Sequence, residues 1–137
     1  MLVVDTSVVV ASLDRRERHH GTSRALLEST DERIVVPSPI LCEVDHLIHR
    51  KFGPTAMPRF LSRVQAGELE LEDLMPEDLD RAVHLMERYV DLDVGYIDAA
   101  VLAIVERLDE SKLATLDRKH FGAMRPRHVD ALELLPA

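Results

Sequence analysis

The sequence predicts an α/β fold, in which a mainly parallel central sheet lies between layers of helices. Two patterns along the chain predict it. Short apolar stretches of strand length alternate with longer stretches of helical periodicity, which is typical of parallel sheets with crossover helices. Two of the short stretches, at residues 2–5 and 113–117, end in a carboxylate. Because open α/β sheets bind ligands at the carboxyl ends of their strands, these acids are candidate functional residues.

The first half of the chain is predicted to hold two strands and four helices. Ser38 and Pro39 mark the start of the third helix, because serine caps helices and proline is best tolerated at the first helical position. Gly53 and Pro54 end that helix. The elements are, in order, strand 2–5, helix 6–13, helix 18–29, strand 34–36, helix 38–52 and helix 56–66.

The second half continues the alternation of strands and helices. Residues 69–72 alternate apolar and charged side chains, as a half-exposed edge strand does. The helix that opens near Tyr96 is apolar nearly all round, which predicts that it is largely buried. The elements are, in order, strand 69–72, helix 76–89, helix 96–108, strand 113–116 and a last strand at 131–135.

Four acidic residues at the ends or flanks of apolar elements together predict a metal site. Asp5 and Asp117 each follow an apolar strand, so their carboxylates emerge at the same edge if both strands belong to one parallel sheet. Glu43 lies on the flank of its helix's apolar stripe, from which it can reach a cleft. Asp98 opens the apolar helix, where a bare carboxylate is costly unless it is paired or bound to metal.

Each acid taken alone has a simpler explanation. A carboxylate at the start of a helix, such as Asp98, is favoured by the helix dipole by about 0.3–1 kcal/mol. Asp117 alone is equally a turn or cap residue. The prediction therefore rests on the four acids together, because their mutual repulsion in one site requires either raised pKa values or a bound cation.

Oxygen ligands predict Mg²⁺ at such a site, with Mn²⁺ as a substitute. A hard divalent ion suits phosphate chemistry, because it stabilises charge on phosphoryl oxygens and activates a water that attacks in line. Thr6, Ser7 and Thr115 are expected to orient the ligands by hydrogen bonds.

The formal net charge of −8 argues against a nucleic-acid ligand, because such proteins usually present a basic surface to phosphates. Two observations weaken this objection. A cation would neutralise part of the acid excess, and the basic residues are clustered, although each cluster alone is equally a solvated surface. The clusters are Arg15, Arg16, Arg18, His19 and His20; Arg50 and Lys51; Arg118, Lys119 and His120; Arg125, Arg127 and His128.

Length and composition favour one globular domain over residues 1–137, with 46% apolar residues. The first strand follows Met1 directly, so we expect no leader, and no apolar run reaches the roughly 18 residues of a membrane span. We therefore expect a cytoplasmic protein without membrane contact. The single cysteine, Cys42, excludes an internal disulfide, and its place in a helix predicts a half-buried side chain.

The acids and their neighbours resemble the motifs of PIN domains, and the likeness covers essentially the whole chain. Each motif is short, but four in order at suitable spacing make a strong combined signal. At this length the chain most resembles the VapC-type ribonuclease toxins of bacterial and archaeal toxin–antitoxin pairs. The motifs are Asp5-Thr6-Ser7 after the first strand, Glu43 within residues 39–44, Tyr96-Ile97-Asp98-Ala99-Ala100, and Thr115-Leu116-Asp117 with Phe121 following.

By this resemblance Asp5, Glu43, Asp98 and Asp117 form the family's acidic quartet. Asp5 and Asp98 then correspond to the direct metal ligands, while Glu43 and Asp117 complete the shell or orient water. The resemblance also implies a PIN-like α/β/α sandwich, Mg²⁺-dependent endoribonuclease activity, inhibition by a cognate antitoxin, and a homodimer. One position departs from the family, because Gly95 stands where members often carry Ser or Thr three residues before the third acid.

The basic clusters around an acidic centre favour a structured loop of tRNA or ribosomal RNA as the substrate, since specific RNA-binding proteins usually read exposed single-stranded loops. Two other functions remain open. A phosphoacceptor receiver domain also places acids at strand ends, but it needs paired acids after the first strand, where Thr6 and Ser7 follow Asp5. A PIN-like binding module that is not catalytic would act only through protein or RNA partners.

Overall fold

All strand pairs in the sheet are parallel, and the strands belong to two groups joined at the centre. The computed structural model describes residues 1–137, and its strands are β1 (Leu2–Val3), β2 (Ile34–Pro37), β3 (Glu70–Glu72), β4 (Lys112–Ala114) and β5 (Glu133–Leu135). β2 lies between β1 and β3, and β4 pairs with β5. A parallel bridge from Val4 to Ala114 joins the groups in the order β3-β2-β1-β4-β5. The predicted α/β fold with a mainly parallel sheet is therefore confirmed.

Seven helices follow or connect the strands, and six of them match predicted helices within a few residues. They are α1 (Thr6–Leu13), α2 (His20–Ser29), α3 (Leu41–Phe52), α4 (Ala56–Gln65), α5 (Pro76–Arg88), α6 (Tyr96–Arg107) and α7 (Arg118–Ala123). The start of α2 was predicted two residues too early. The Asp14 carboxylate accepts hydrogen bonds from the Arg16 N–H, at 3.0 Å, and from Lys51 Nζ, at 2.7 Å, and this holds the preceding residues in a turn.

Two further boundaries differ from the prediction. The helix start at Ser38 is a 3-10 turn, Ser38–Ile40, which leads into α3. β4 ends at Ala114, so the predicted strand 113–116 was too long and Asp117 is not its last residue. The chain turns instead into α7, a helix absent from the prediction, which Asp117 caps by accepting a hydrogen bond from the His120 N–H.

The core is centred on β1 and α6. Leu2, Val3 and Val4 are at most 1% exposed, as expected for the central strand of a parallel sheet whose two faces are covered. Residues 99–105 of α6 are buried without interruption, which confirms the predicted burial of this helix. Because Asp98 precedes this buried run by one residue, α6 is anchored firmly behind the candidate site.

Ion pairs tie the end of α6 to the start of α5. Arg107 Nε lies 3.1 and 3.0 Å from the two carboxylate oxygens of Asp78, whose side chain is 1% exposed. The Met75 N–H donates a further hydrogen bond to Asp78 at 2.8 Å. Arg107 also binds Glu72 at the end of β3, at 2.9 Å. The buried acid Asp78 is therefore fully paired.

Two surface predictions have opposite outcomes. β3 pairs only with β2, and Leu71 and Glu70 are exposed on it, so the predicted half-exposed edge strand is confirmed. Cys42 is exposed, and its predicted half-burial was wrong, because this position of α3 lies away from the stripe that Val44 and Ile48 bury. Every helix is too short or too polar to cross a membrane.

Candidate active site

Asp5 lies buried where β1 passes into α1. Its N–H donates to the Ala114 carbonyl oxygen at 2.9 Å, which fixes the end of β1 beside the end of β4. Only 4% of the residue is exposed. Its Oδ2 accepts hydrogen bonds from Thr115 Oγ1, at 2.8 Å, and from Ser7 Oγ, at 3.2 Å. Asp5 therefore has hydroxyl partners but no cationic partner.

The same two hydroxyls carry the turn that leads from β4 to Asp117. Ser7 Oγ accepts a hydrogen bond from the Leu116 N–H at 2.9 Å, and Thr115 Oγ1 accepts one from the Asp117 N–H at 3.0 Å. Ser7 and Thr115 thus both hydrogen-bond to Asp5, and their predicted role in orienting a metal ligand stays a prediction. Thr6 differs, because its buried hydroxyl has no hydrogen-bond partner and it acts on Asp5 through its backbone N–H.

Asp98 and Asp117 meet at a residue that sequence reasoning missed, His120 of α7. Its Nδ1 lies 2.8 Å from Oδ2 of Asp98 and 3.1 Å from Oδ2 of Asp117. Its Nε2 lies 3.2 Å from the carbonyl oxygen of Leu92. The sequence spacing could have revealed this contact. His120 lies three residues after the N-cap Asp117, which is about one helical turn, so its side chain can contact the cap.

Glu43 faces the same region without touching the other acids. It lies in the first turn of α3 and is half-buried, and its carboxylate makes no hydrogen bond within the protein. Its negative charge nevertheless contributes to raising the pKa of Asp5 and of Asp98. The structure therefore brings Asp98 and Asp117 together at His120, while Asp5 and Glu43 lie near enough for charge interactions within the group.

The electrostatics of the cleft are those of crowded acids. Burial raises the pKa of Asp5 to about 6, against the hydrogen bond from Thr115, and the charge of Asp98 adds to the rise. Burial also raises the pKa of Asp98, with further contributions from Asp117 and Glu43. Burial lowers the pKa of His120, but the hydrogen bond with Asp98 and the charges of Asp117 and Asp98 outweigh it, so this pKa is raised.

These residues fit a divalent cation. Ligand atoms of Asp98, Asp117 and His120 all lie within 4.8 Å of one another, while Asp5 is not part of this close group. Two carboxylates here share one imidazole, so a cation would relieve the repulsion between them. Oxygen ligands with one nitrogen suit Mg²⁺ or Mn²⁺. The assignment of Asp5 and Asp98 as the direct ligands stays a prediction.

The order of these acids along a parallel α/β chain agrees with a known family. A family model described as PIN domain matches residues 2–125. The chain belongs to the PIN domain family. The match includes all four acids, His120 and the strands β1 to β4, so the cleft described above lies wholly within the PIN region.

Individual PIN proteins are similar over nearly the same length. Ribonuclease VapC26 of Mycobacterium tuberculosis is 29% identical over 125 residues, which cover 91% of this chain and 93% of that protein. The crystal structure of VapC20 from the same organism, a toxin that cleaves the sarcin-ricin loop, has a TM-score of 0.82 at 19% identity over 95% of this chain and 99% of its own. These likenesses confirm the predicted PIN-like sandwich.

A toxin–antitoxin complex also shares the fold. The DNA-bound VapBC complex of Salmonella typhimurium contains a chain with a TM-score of 0.69 and 14% identity, covering 98% of this chain and 97% of that chain. At this identity the likeness concerns the fold alone. It extends the PIN architecture to β5, beyond the matched residues 2–125.

Proposed function

We propose that this chain is a Mg²⁺- or Mn²⁺-dependent endoribonuclease of the VapC type, the toxin of a toxin–antitoxin pair, acting as one PIN domain over residues 1–137. The observation that carries the proposal is the group formed by Asp5, Glu43, Asp98 and Asp117 in a PIN chain, in which burial and neighbouring negative charges raise the pKa of Asp5 and of Asp98. The similarity to a protein named as a ribonuclease, VapC26, supports the activity.

The chain's own residues have separable roles in this proposal. Asp5 and Asp98 hold the cation, and Thr115 and Ser7 keep the Asp5 carboxylate oriented by their hydrogen bonds. Asp117 and Glu43 orient the attacking water. When bound, the cation supplies positive charge to the phosphoryl oxygens and to that water.

Basic residues beside the acids and at the far end of α1 would hold the RNA backbone. Arg118 and Lys119 are exposed at the start of α7, directly after Asp117. Arg15, Arg16 and Arg50 line one depression at the far ends of α1 and α3. The eight-residue helix α1 separates Asp5 from this depression by about 12 Å. RNA that extends from the acids along α1 would therefore contact cations at both ends of this path, despite the net charge of −8.

The substrate proposed is a structured RNA loop of tRNA or ribosomal RNA. Loops expose unpaired bases that proteins can read, whereas duplex RNA hides its base edges. The fold neighbour VapC20 is described as cleaving the sarcin-ricin loop, which supports this class of target. Cuts spread through messenger RNA would contradict it.

The partners proposed are a cognate antitoxin and a second copy of the chain. Fold neighbours solved as VapBC complexes from Salmonella typhimurium and Rickettsia felis support an antitoxin partner. We infer a homodimer that joins the antitoxin in a hetero-oligomer, located in the cytoplasm. Light scattering of the toxin alone and with the antitoxin tests both assemblies, and a monomer at high concentration would oppose the homodimer.

The deciding experiment uses purified protein, free of antitoxin, with total cellular RNA. Wild type, Asp98→Asn and Asp130→Asn are incubated with Mg²⁺, with Mn²⁺ and with chelator, and the 5′ ends are mapped. Asp130 is an exposed acid outside the cleft, so its variant controls for the loss of one charge. We expect discrete metal-dependent cuts from wild type and Asp130→Asn, and none from Asp98→Asn. Folded wild type that cuts nothing under any condition would favour a binding module instead.

A further inference from the structure

His120 places one ring nitrogen between two of the four acids. Nδ1 lies 2.8 Å from Asp98 and 3.1 Å from Asp117, and the ligand atoms of these three residues lie within 4.8 Å of one another. The imidazole is half-buried, and α7 holds it there because Asp117 caps the helix with a 3.0 Å hydrogen bond from the His120 N–H. Asp117 therefore both caps the helix that carries His120 and lies next to its Nδ1.

The opposite ring nitrogen is held from outside the acidic cluster. Nε2 lies 3.2 Å from the Leu92 carbonyl oxygen, which can only accept, so Nε2 carries a proton. Nδ1 faces carboxylate oxygens, which when ionised also only accept, so in this structure Nδ1 is a donor too. A cation bound here would take the place of the Nδ1 proton and meet the lone pair of that nitrogen. Metal-binding histidines in proteins characteristically donate their second N–H to a carbonyl or carboxylate, which fixes the tautomer and the ring orientation.

We propose that His120 Nδ1 is a further direct ligand of the cation, next to the proposed ligand Asp98, whose carboxylate it contacts at 2.8 Å. The inference rests on the proposed metal dependence. An imidazole nitrogen changes an all-oxygen site into a mixed one, and such sites favour Mn²⁺ over Mg²⁺, since Mg²⁺ prefers oxygen ligands and water. The chain's metal preference is thus shifted toward Mn²⁺ by His120.

The competing arrangement is a charged imidazole that occupies the cation's place and leaves when the cation binds. The two arrangements predict opposite effects of removing the ring. A ligand's removal weakens Mn²⁺ binding, whereas removal of a competing cation strengthens it. The hydrogen bond to Leu92 favours the ligand, because a ring that leaves when the cation binds would have to break it.

Electron paramagnetic resonance of bound Mn²⁺ tests the proposal without any assay of activity. Pulsed spectra of wild type should show nitrogen-14 coupling from a directly bound imidazole. The coupling should be absent in His120→Ala and His120→Gln and retained in His46→Ala, an exposed histidine one turn after Glu43. Titration should show Mn²⁺ binding weakened about tenfold or more in both His120 variants, with a smaller change for Mg²⁺ measured by competition.

Two results would overturn the proposal. One is the absence of nitrogen coupling in Mn²⁺-loaded wild type, which needs no variant to fold. The other is tighter Mn²⁺ binding after His120 is replaced. Failure of the proposed function is distinguishable, because nitrogen coupling without RNA cleavage leaves the ligand assignment standing, and cleavage without coupling leaves the nuclease standing.

Discussion

Replacing Asp5 by asparagine should remove a pH-dependent loss of stability from the metal-free protein. Burial raises the pKa of Asp5 from 3.8 to about 6 in the folded state. The folded state therefore binds this proton more tightly than the unfolded state does. Stability is highest below the unfolded value, falls as the pH rises from about 4 to about 6, and is constant above that range.

The size of the effect follows from the shift. A rise of roughly two pKa units, at about 1.4 kcal/mol per unit, makes ionised Asp5 cost the folded state about 3 kcal/mol. Between about pH 4.5 and about pH 7.5, linkage gives about 2 kcal/mol of that total. The amide introduced by Asp5→Asn does not ionise, so the variant lacks this part of the slope.

Urea denaturation in the presence of chelator, at several pH values, measures the contribution of Asp5 to the pH dependence of stability. The informative quantity is the difference in unfolding free energy between Asp5→Asn and wild type, because the constant effect of the amide on its hydrogen bonds cancels from its pH dependence. We expect this difference to change by about 2 kcal/mol in favour of the variant on going from about pH 4.5 to about pH 7.5. For Asp130→Asn, which replaces an exposed acid, the plot of unfolding free energy against pH should run parallel to that of wild type. Parallel curves for Asp5→Asn would refute the account of its burial.

Two further variants test the framework around the site. Arg107→Met should destabilise the protein by about 3 kcal/mol in urea denaturation, because it leaves Asp78 buried without a cation. Arg24→Met breaks an exposed ion pair and should cost less than about 1 kcal/mol. Equal losses of stability in the two variants would contradict the argument. Gly95→Ser should stabilise by about 0.5–1 kcal/mol in the same assay, because α6 has no side-chain cap and a Cβ at Gly95 meets no atom within 4 Å. Gly95→Ala separates the hydroxyl from the backbone effect, and no advantage of serine over alanine would exclude the cap.

Most of the fold could be predicted because its elements carry local signals. The buried run of α6 and the short apolar strands at residues 2–5 and 34–36 are visible as hydrophobicity alone. The short helix α7 could not be predicted in this way. It has six residues and is held by the cap that Asp117 provides, by burial of Phe121 and by the contacts of His120 with Asp98 and Leu92.

The site was predictable as a set of acids but not as an arrangement. Strand ends and helix starts located Asp5 and Asp98, because those positions follow from the fold class. The role of His120 depends on where α7 turns after β4, and the sequence pattern ran the strand two residues too far. The grouping of Asp98 with Asp117 and His120, apart from Asp5, likewise depends on side-chain positions that periodicity does not determine.

The contrast between two buried acids gives the strongest argument that the cleft is built for a cation. Asp5 and Asp78 are 4% and 2% exposed. Asp5 lies directly before α1, and Asp78 lies in the first turn of α5. Asp78 is neutralised by Arg107 and by a backbone N–H. Asp5 has only hydroxyl and N–H donors, and the charges that act on it, Asp98 and Glu43, are themselves negative. Asp5 therefore lacks the neutralisation that Arg107 gives Asp78, and the proposed cation would supply it.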